Sequence, residues 1–252
     1  MDRSRGDEPS ELRVLCVIPA RFGSTRLPGK PLALIKGVPM LEWVARGASE
    51  SRYLDDLVIA TDDERVRDAA ESYGRTAVLT SEDVPSGTDR VAIVAGRREC
   101  DLVINIQGDE PQVKGPMIDL LVEALAGDPT VHMATLAHAM NEDDAADPNA
   151  VKVVTDMRGR ALYFSRSTIP FVRRKPPEGA QRYLRHIGIY GYRRDFLLKF
   201  AGLPPSPLEM AEGLEQLRAL EYGFAIRVVQ TDYRVLGVDT PDDLARVQDA
   251  FE

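Results

Sequence analysis

Residues 12–18 form a short apolar run, Leu12-Arg13-Val14-Leu15-Cys16-Val17-Ile18, that passes straight into a loop rich in glycine, hydroxyl and cationic side chains. That junction constrains the fold more than any other stretch. An apolar run bounded by loop residues reads as a strand buried on both faces. The loop after such a strand in an α/β protein lies at the carboxyl edge of the sheet, where ligands bind. Here it reads Pro19-Ala20-Arg21-Phe22-Gly23-Ser24-Thr25-Arg26-Leu27-Pro28-Gly29-Lys30-Pro31. Glycine lets backbone approach a ligand, hydroxyls and amides donate hydrogen bonds, and cations neutralise phosphate. Residues 12–41 hold five cations (Arg13, Arg21, Arg26, Lys30, Lys36) and no acid, although the chain carries 32 basic against 40 acidic residues. This local reversal of sign points to a triphosphate cradle, against the plainer reading of a basic surface loop.

The cradle is not a P-loop. That motif needs four residues between its glycines and a Ser or Thr after its lysine. Five residues separate Gly23 from Gly29, and Pro31 follows Lys30, offering neither hydroxyl nor N–H. A net charge of −8 argues against general nucleic-acid binding. Cys16 and Cys100 form no metal-spaced pair, and the charged N-terminal residues lack the apolar core of a signal peptide. With no apolar run of membrane-spanning length, a reduced, cytoplasmic protein with no membrane partner is expected.

Strand and helix signals alternate. Residues 57–61, 76–80 and 102–106 read as further buried strands, and residues 39–46, 88–96 and 117–126 as helices, with Pro39 at the first helical position. This is the rhythm of a mostly parallel, doubly wound α/β sheet. After Pro129 the rhythm changes. Strand-like runs at 131–137, 151–155, 161–165 and 186–192 follow closely, with a hairpin turn at Asp156-Met157-Arg158-Gly159. We expect one domain over residues 1–252, with an antiparallel extension over about 130–192 for substrate binding and dimerisation. Residues 171–179 read as an exposed loop, and residues 209–222 and 240–251 return to helix.

Several residues stand where chemistry is done. Asp109, in Gln107-Gly108-Asp109-Glu110-Pro111, follows the 102–106 strand; it suits magnesium or simply caps a turn. Asp239, after a short apolar run read as a strand, is either a second carboxylate for magnesium or a helix-entry residue, with Thr240 as the cap and Pro241 first in the helix. Ser86-Gly87-Thr88-Asp89-Arg90 opens a helix; its hydroxyls cap that helix, read a base edge, or both. On the extension, alternation puts His186, Gly188 and Tyr190 on one strand face, near Arg166. Glu212 and Gln216 are spaced i, i+4 on a continuous helix. An arginine, a histidine, a tyrosine, a carboxylate and an amide suit a polyhydroxylated acid. His132 and His138 read as structural.

These motifs resemble those of the 3-deoxy-D-manno-octulosonate cytidylyltransferase (CMP-KDO synthetase) family over nearly the whole chain. The matching pieces are the cradle from Ile18 to Leu32, Gln107-Gly108-Asp109-Glu110-Pro111, Asn149-Ala150-Val151-Lys152, Leu162-Tyr163-Phe164-Ser165-Arg166, Leu184-Arg185-His186-Ile187-Gly188-Ile189-Tyr190, Pro205-Ser206-Pro207-Leu208-Glu209, Leu214-Glu215-Gln216-Leu217-Arg218 and Gly237-Val238-Asp239-Thr240-Pro241. The resemblance implies a Rossmann-like nucleotidyltransferase fold, a homodimer, Mg2+, and CTP and KDO as substrates. It implies that Arg21, Ser24 and Lys30 hold the nucleotide, with Ser86, Gly87, Arg90 and Gly108 beside it. Asp109 and Asp239 would bind magnesium, and Gln107, Arg166, His186, Tyr190, Glu212 and Gln216 would surround the sugar. Arg21, Lys30, Asp109 and Asp239 would be catalytic. CMP-sialic acid synthetases and cytidylyltransferases for KDO analogues such as an 8-amino derivative are the neighbouring alternatives. A catalytically silent nucleotide-sugar-binding module is the alternative of another class.

Overall fold

The computed structural model describes residues 12–24, 26–174 and 183–251. Thr25 of the cradle, the N-terminal residues before Leu12 and most of the loop at 173–182 lie outside them. The first half runs β1 (Val14–Ala20), a single 3-10 turn (Lys30–Leu32), the two-residue strands β2 (Leu34–Ile35) and β3 (Val38–Pro39), α1 (Met40–Ser49), β4 (Asp56–Thr61), α2 (Glu64–Ser72), β5 (Thr76–Leu79), α3 (Gly87–Gly96), β6 (Leu102–Ile106) and α4 (Gly115–Ala126). The second half runs β7 (Met133–Met140), α5 (Glu142–Ala145), β8 (Lys152–Thr155), β9 (Ala161–Ser165), β10 (Tyr183–Arg193), α6 (Arg194–Ala201), α7 (Pro207–Glu212), α8 (Gln216–Glu221), β11 (Ile226–Gln230) and α9 (Pro241–Ala250).

Among the described residues one sheet carries the order β11-β7-β10-β6-β1-β4-β5. Strands β6, β1, β4 and β5 are parallel, as the alternating rhythm requires. All seven residues of β1 are buried, because helices cover both faces of a parallel sheet. The pleat sorts them. Cys16 and Ile18 pack with Leu41 of α1 and Leu121 of α4, whereas Leu15 and Val17 pack with Val91 of α3 and Phe196 of α6. Cys16 is fully buried, and burial pushes its thiol far above the usual range, so it acts as a small apolar residue.

Four expectations need correcting. First, the antiparallel strands form as expected, but they do not all stand beside the parallel ones. β10 lies antiparallel between β6 and β7 in the main sheet, and only β8 and β9 stand off its path. Long apolar strands such as β10 bury more surface inside the sheet than beside it. Second, the helix expected over 209–222 is two helices. Gly213, at φ +63°, closes α7 in the left-handed conformation, and α8 starts at Gln216. Glu212 and Gln216 therefore do not share one helix face. Third, Pro39 pairs with Leu34 as the residue capping α1, and Met40 is the first helical residue. Fourth, residues 233–239 form no strand; they are tethered by the Val238 N–H, which donates to the Asp109 carbonyl at 2.9 Å. The turn at 156–159 forms as expected, with Gly159 N–H donating to the Asp156 carbonyl at 3.0 Å. No helix among the described residues is long and apolar enough to cross a membrane.

Candidate active site

Three loops meet at the carboxyl ends of β1 and β6. The cradle after β1 supplies Lys30, the turn after β6 supplies Asp109, and the entry to α9 supplies Asp239. The Lys30 ammonium donates to Asp109 Oδ2 at 2.5 Å and to Asp239 Oδ1 at 2.9 Å; Arg26 pairs with Asp239 at 3.0 Å. Burial alone would lower the Lys30 pKa, but the two carboxylates outweigh it and hold the group above its ordinary value. Thr240 caps α9 by accepting from the Asp243 N–H at 3.2 Å, which leaves the Asp239 side chain free to face the cradle. Glu110, next in the chain, has a buried Oε2 without a partner among the described residues; burial and the neighbouring Asp109 charge push its carboxyl up to about 8. Arg21 donates to the Val84 carbonyl and so ties the cradle to the loop before α3. Ser24 accepts from the Leu27 N–H at 3.3 Å. Gly108 donates to the Pro19 carbonyl at 3.3 Å, and a Cβ there would stand 3.1 Å from that oxygen, so the turn at Asp109 presses directly on β1.

The α3 entrance divides its residues. Ser86 caps the helix, accepting from Asp89 N–H at 3.1 Å, and Gly87 lies against Gln107. Arg90, expected beside the nucleotide, is fully buried instead; it donates to Thr80 Oγ1 and to Asp62 Oδ2, the latter at 3.2 Å. Its guanidinium braces the ends of β4 and β5 from inside.

From the Asp239 end, a polar cleft of about 670 Å3 runs along β10. Gln107, Arg166, His186, Tyr190 and Gln216 line it, as does Gly188. The shared face of His186, Gly188 and Tyr190 survives an irregularity: pairing with β7 slips between Ile187 and Tyr190. Thr135 holds that bulge. Its hydroxyl lies 3.0 and 2.9 Å from the Ile187 and Ile189 carbonyls and 3.0 Å from His186 Nε2. With the single hydroxyl proton given to a carbonyl, His186 Nε2 donates and Nδ1 is left as an acceptor. Burial lowers the His186 pKa to about 3, keeping the ring neutral. Gln216 is 4% exposed and its Nε2 has no partner among the described residues. Such an unmet donor costs on the order of 1–3 kcal/mol, which a ligand oxygen would recover.

Glu212 does not line the cleft. Its carboxylate accepts from Ser165 Oγ at 2.6 Å and from the Arg166 N–H at 2.9 Å, and its carbonyl accepts from Arg166 Nε at 2.8 Å. It thus orients Arg166 rather than meeting a ligand itself. The cleft also takes in residues that the sequence reading passed over. Arg185 and His138 face each other across β10 and β7, and Asn149 comes from the loop before β8. His138, read as structural, is a cleft residue. Arg185 was hidden by strict alternation, which assigned it to the face opposite His186; both nevertheless line the cleft. His132, by contrast, packs on Phe196 and Phe224.

Comparison with known proteins accords with this geometry. The cytidylyltransferase family model matches residues 15–228. The chain is 51% identical to the 3-deoxy-manno-octulosonate cytidylyltransferase of Solibacter usitatus, covering 95% of each chain. It is 46% identical to that of Bdellovibrio bacteriovorus, covering 94% of this chain and 97% of the other. Among solved structures, a CMP:2-keto-3-deoxy-manno-octonic acid synthetase complexed with CTP superposes with a TM-score of 0.89 at 45% identity, over 94% of this chain and 98% of that one. A strand-end cradle with paired carboxylates, matched along nearly its full length to such relatives, makes this chain a nucleotidyltransferase that belongs to the 3-deoxy-manno-octulosonate cytidylyltransferase family.

Proposed function

We propose that this protein transfers CMP from CTP to KDO, releasing pyrophosphate and supplying CMP-KDO for lipopolysaccharide biosynthesis. The carrying observation is that Lys30, Asp109 and Asp239 converge at one end of a cleft whose other walls hold Arg166, neutral His186 and the unmet amide of Gln216. The anomeric hydroxyl of KDO attacks the α-phosphorus of CTP in line, and pyrophosphate leaves. Arg21 and Lys30 hold the phosphates, with Ser24, Ser86, Gly87 and Gly108 lining the approach. Arg166 faces the sugar carboxylate, while His186 Nδ1, Tyr190, Gln107 and Gln216 fix its hydroxyls. Both substrates are anions, so catalysis here is mostly charge compensation and positioning.

Asp109 and Asp239 fit a divalent cation. They are hard oxygen donors already focused on one positive charge, the Lys30 ammonium, and magnesium takes one or two carboxylates with phosphate oxygens completing its shell. Bound there, Mg2+ supplies further neutralisation of the triphosphate. With a cation on the two carboxylates, the Lys30 ammonium would serve the phosphates.

Pyrophosphate release from purified protein with CTP, Mg2+ and a panel of keto-acid sugars tests the reading. KDO should be the best acceptor, with ATP or GTP poor substitutes for CTP. Equal or better turnover of sialic acid or of 8-amino-KDO would move the assignment to that sugar, and no turnover with any sugar would leave a silent binding module.

The reading includes a cytoplasmic homodimer built from one nucleotidyltransferase domain over residues 1–252. Both cysteines are unpaired thiols, which suits a reducing compartment. Strand β9 and the segment after it leave Leu162 and Phe171 62% and 87% exposed, apolar surface that a two-fold partner would cover. A stable dimer should bury roughly 1,600 Å2 in total. Sedimentation at micromolar concentration should give twice the chain mass, and a fully active monomer would remove the dimer from the reading.

A further inference from the structure

At the β11 edge of the sheet a second cavity, of about 500 Å3, shares no lining residue with the cleft. Leu120 and Ala124 of α4, with Val131 and Val229, give it an apolar lining. Its polar lining holds three guanidiniums, from Arg158 and Arg160 on the β8–β9 turn and Arg227 of β11, and two carboxylates, Glu123 and Asp128.

The carboxylates are already engaged. Glu123 accepts from Arg52 and, at 3.2 Å, from the Tyr53 hydroxyl. Asp128 accepts from the Thr130 hydroxyl at 2.6 Å and its N–H at 2.8 Å, bonds that hold its carboxyl below the usual range. Arg160 stands 4.0 Å from Asp128 and donates to Thr130 Oγ1 at 3.3 Å. Arg158 and Arg227 make no direct ion pair among the described residues, although the Arg227 charge helps to hold Asp128, and the Arg158 charge Asp156, below the usual range.

The backbone that carries these cations is fixed. Arg160 bridges Arg227 through the backbone, and Val228 N–H donates to the Gly159 carbonyl at 2.8 Å, so the turn is fastened to β11. Gly159 sits at φ +73°, and a Cβ there would lie 3.2 Å from the Arg227 guanidinium; the bare turn is what admits it. A chain of net charge −8 thus gathers three guanidiniums, two of them in no direct ion pair among the described residues, around one cavity apart from the cleft. Guanidinium forks match phosphate oxygens in pairs. The volume is that of a small-molecule site rather than a bare ion, and the apolar lining suits a ring or hydrocarbon portion.

We propose that this cavity binds a small phosphomonoester, its phosphate held by Arg158, Arg160 and Arg227 and its apolar part against Leu120 and Val229. The test uses the full chain with its cradle saturated by CTP in the absence of sugar, so that added phosphate reports only on other sites. Calorimetry with inorganic phosphate and with phenyl phosphate should show one remaining site, with phenyl phosphate the tighter probe. Charge-assisted hydrogen bonds are lost in Arg158→Ala/Arg227→Ala, so binding should weaken at least ~10-fold there. Arg227→Lys, which keeps the charge without the fork, should fall between, and Arg21→Ala should leave this site unchanged. CMP transfer should persist in the Arg158 and Arg227 variants, showing that they fold. Absence of a remaining site under CTP saturation, or equal affinity in the double variant, overturns the proposal.

Discussion

The cradle end of the cleft and the sugar end are built in opposite ways. At the cradle, Lys30, Asp109 and Asp239 come from three loops, carry full charges and neutralise one another across distances of 2.5 and 2.9 Å. Along β10, His186 and Tyr190 stand on a strand, and burial holds His186 neutral and the Tyr190 phenol protonated. Loops at the ends of parallel strands can bring opposite charges together and then release them to a polyphosphate. A strand inside the sheet offers fixed positions for neutral donors and acceptors. The difference teaches how one chain serves two anions: one end answers with charge clustered on loops, the other with hydrogen-bond geometry along a strand beside the cations Arg166 and Arg185.

The strongest way to break this comparison is to remove charge from the cradle. Asp109→Ala and Asp239→Ala should each lower turnover by roughly two orders of magnitude or more, with thermal unfolding little changed because Lys30 keeps one acidic partner. Near-normal turnover of Asp239→Ala in limiting magnesium would return Asp239 to a helix-entry residue.

The two ends should next separate by ligand. Hydrogen bonds to charged groups are worth about 1.5–3 kcal/mol, so Arg21→Ala should weaken CTP about 10- to 100-fold and leave KDO nearly untouched. Arg166→Ala should do the reverse. Calorimetry with each ligand decides, and a loss of CTP affinity in the Arg166 variant would show the two ends wrongly divided.

Gln216→Leu sharpens the sugar end. The amide Nε2 is unmet in the free protein, so its removal should leave stability unchanged or raise it by up to ~1 kcal/mol, while the Michaelis constant for KDO rises about tenfold. A destabilised variant with normal KDO kinetics would make Gln216 a packing residue.

A separate effect, on stability and not on turnover, appears in acid. The His186 pKa is lowered from 6.5 to about 3, so the unfolded chain binds a proton through that window that the folded chain does not. Stability from this group is complete above 6.5 and declines as pH falls toward 3, by up to about 1.4 kcal/mol per pH unit. Denaturant unfolding of wild type and His186→Gln between pH 7 and 4 should show the shallower acid slope in the variant; parallel slopes would mean the ring titrates normally.

Much of this was legible in the sequence because it depends on local pattern. The buried run at β1, the glycine and cation loop after it, the Asp156–Gly159 turn and the Thr240 cap are each set by residues within a few positions of one another. The helix expected over 209–222 failed for a local reason too: Gly213 was available to end it, yet the apolar spacing on either side masked the break. Other misses needed distant partners. Arg90 looks like a ligand residue at a helix entrance until Asp62 and Thr80 are seen to close over it.

By itself the sequence determined the parallel half of the sheet, the strand-end cradle and the candidate carboxylates at Asp109 and Asp239, because period, capping and loop chemistry act over short separations. Only the tertiary structure decided that β10 lies within the main sheet between β6 and β7, and that Arg185 as well as His186 meets the cleft. It also decided that Glu212 orients Arg166 instead of lining the cleft. Strand order and the aim of a buried polar side chain depend on pairings tens of residues away, where burying apolar surface and satisfying each buried donor outweigh any local preference.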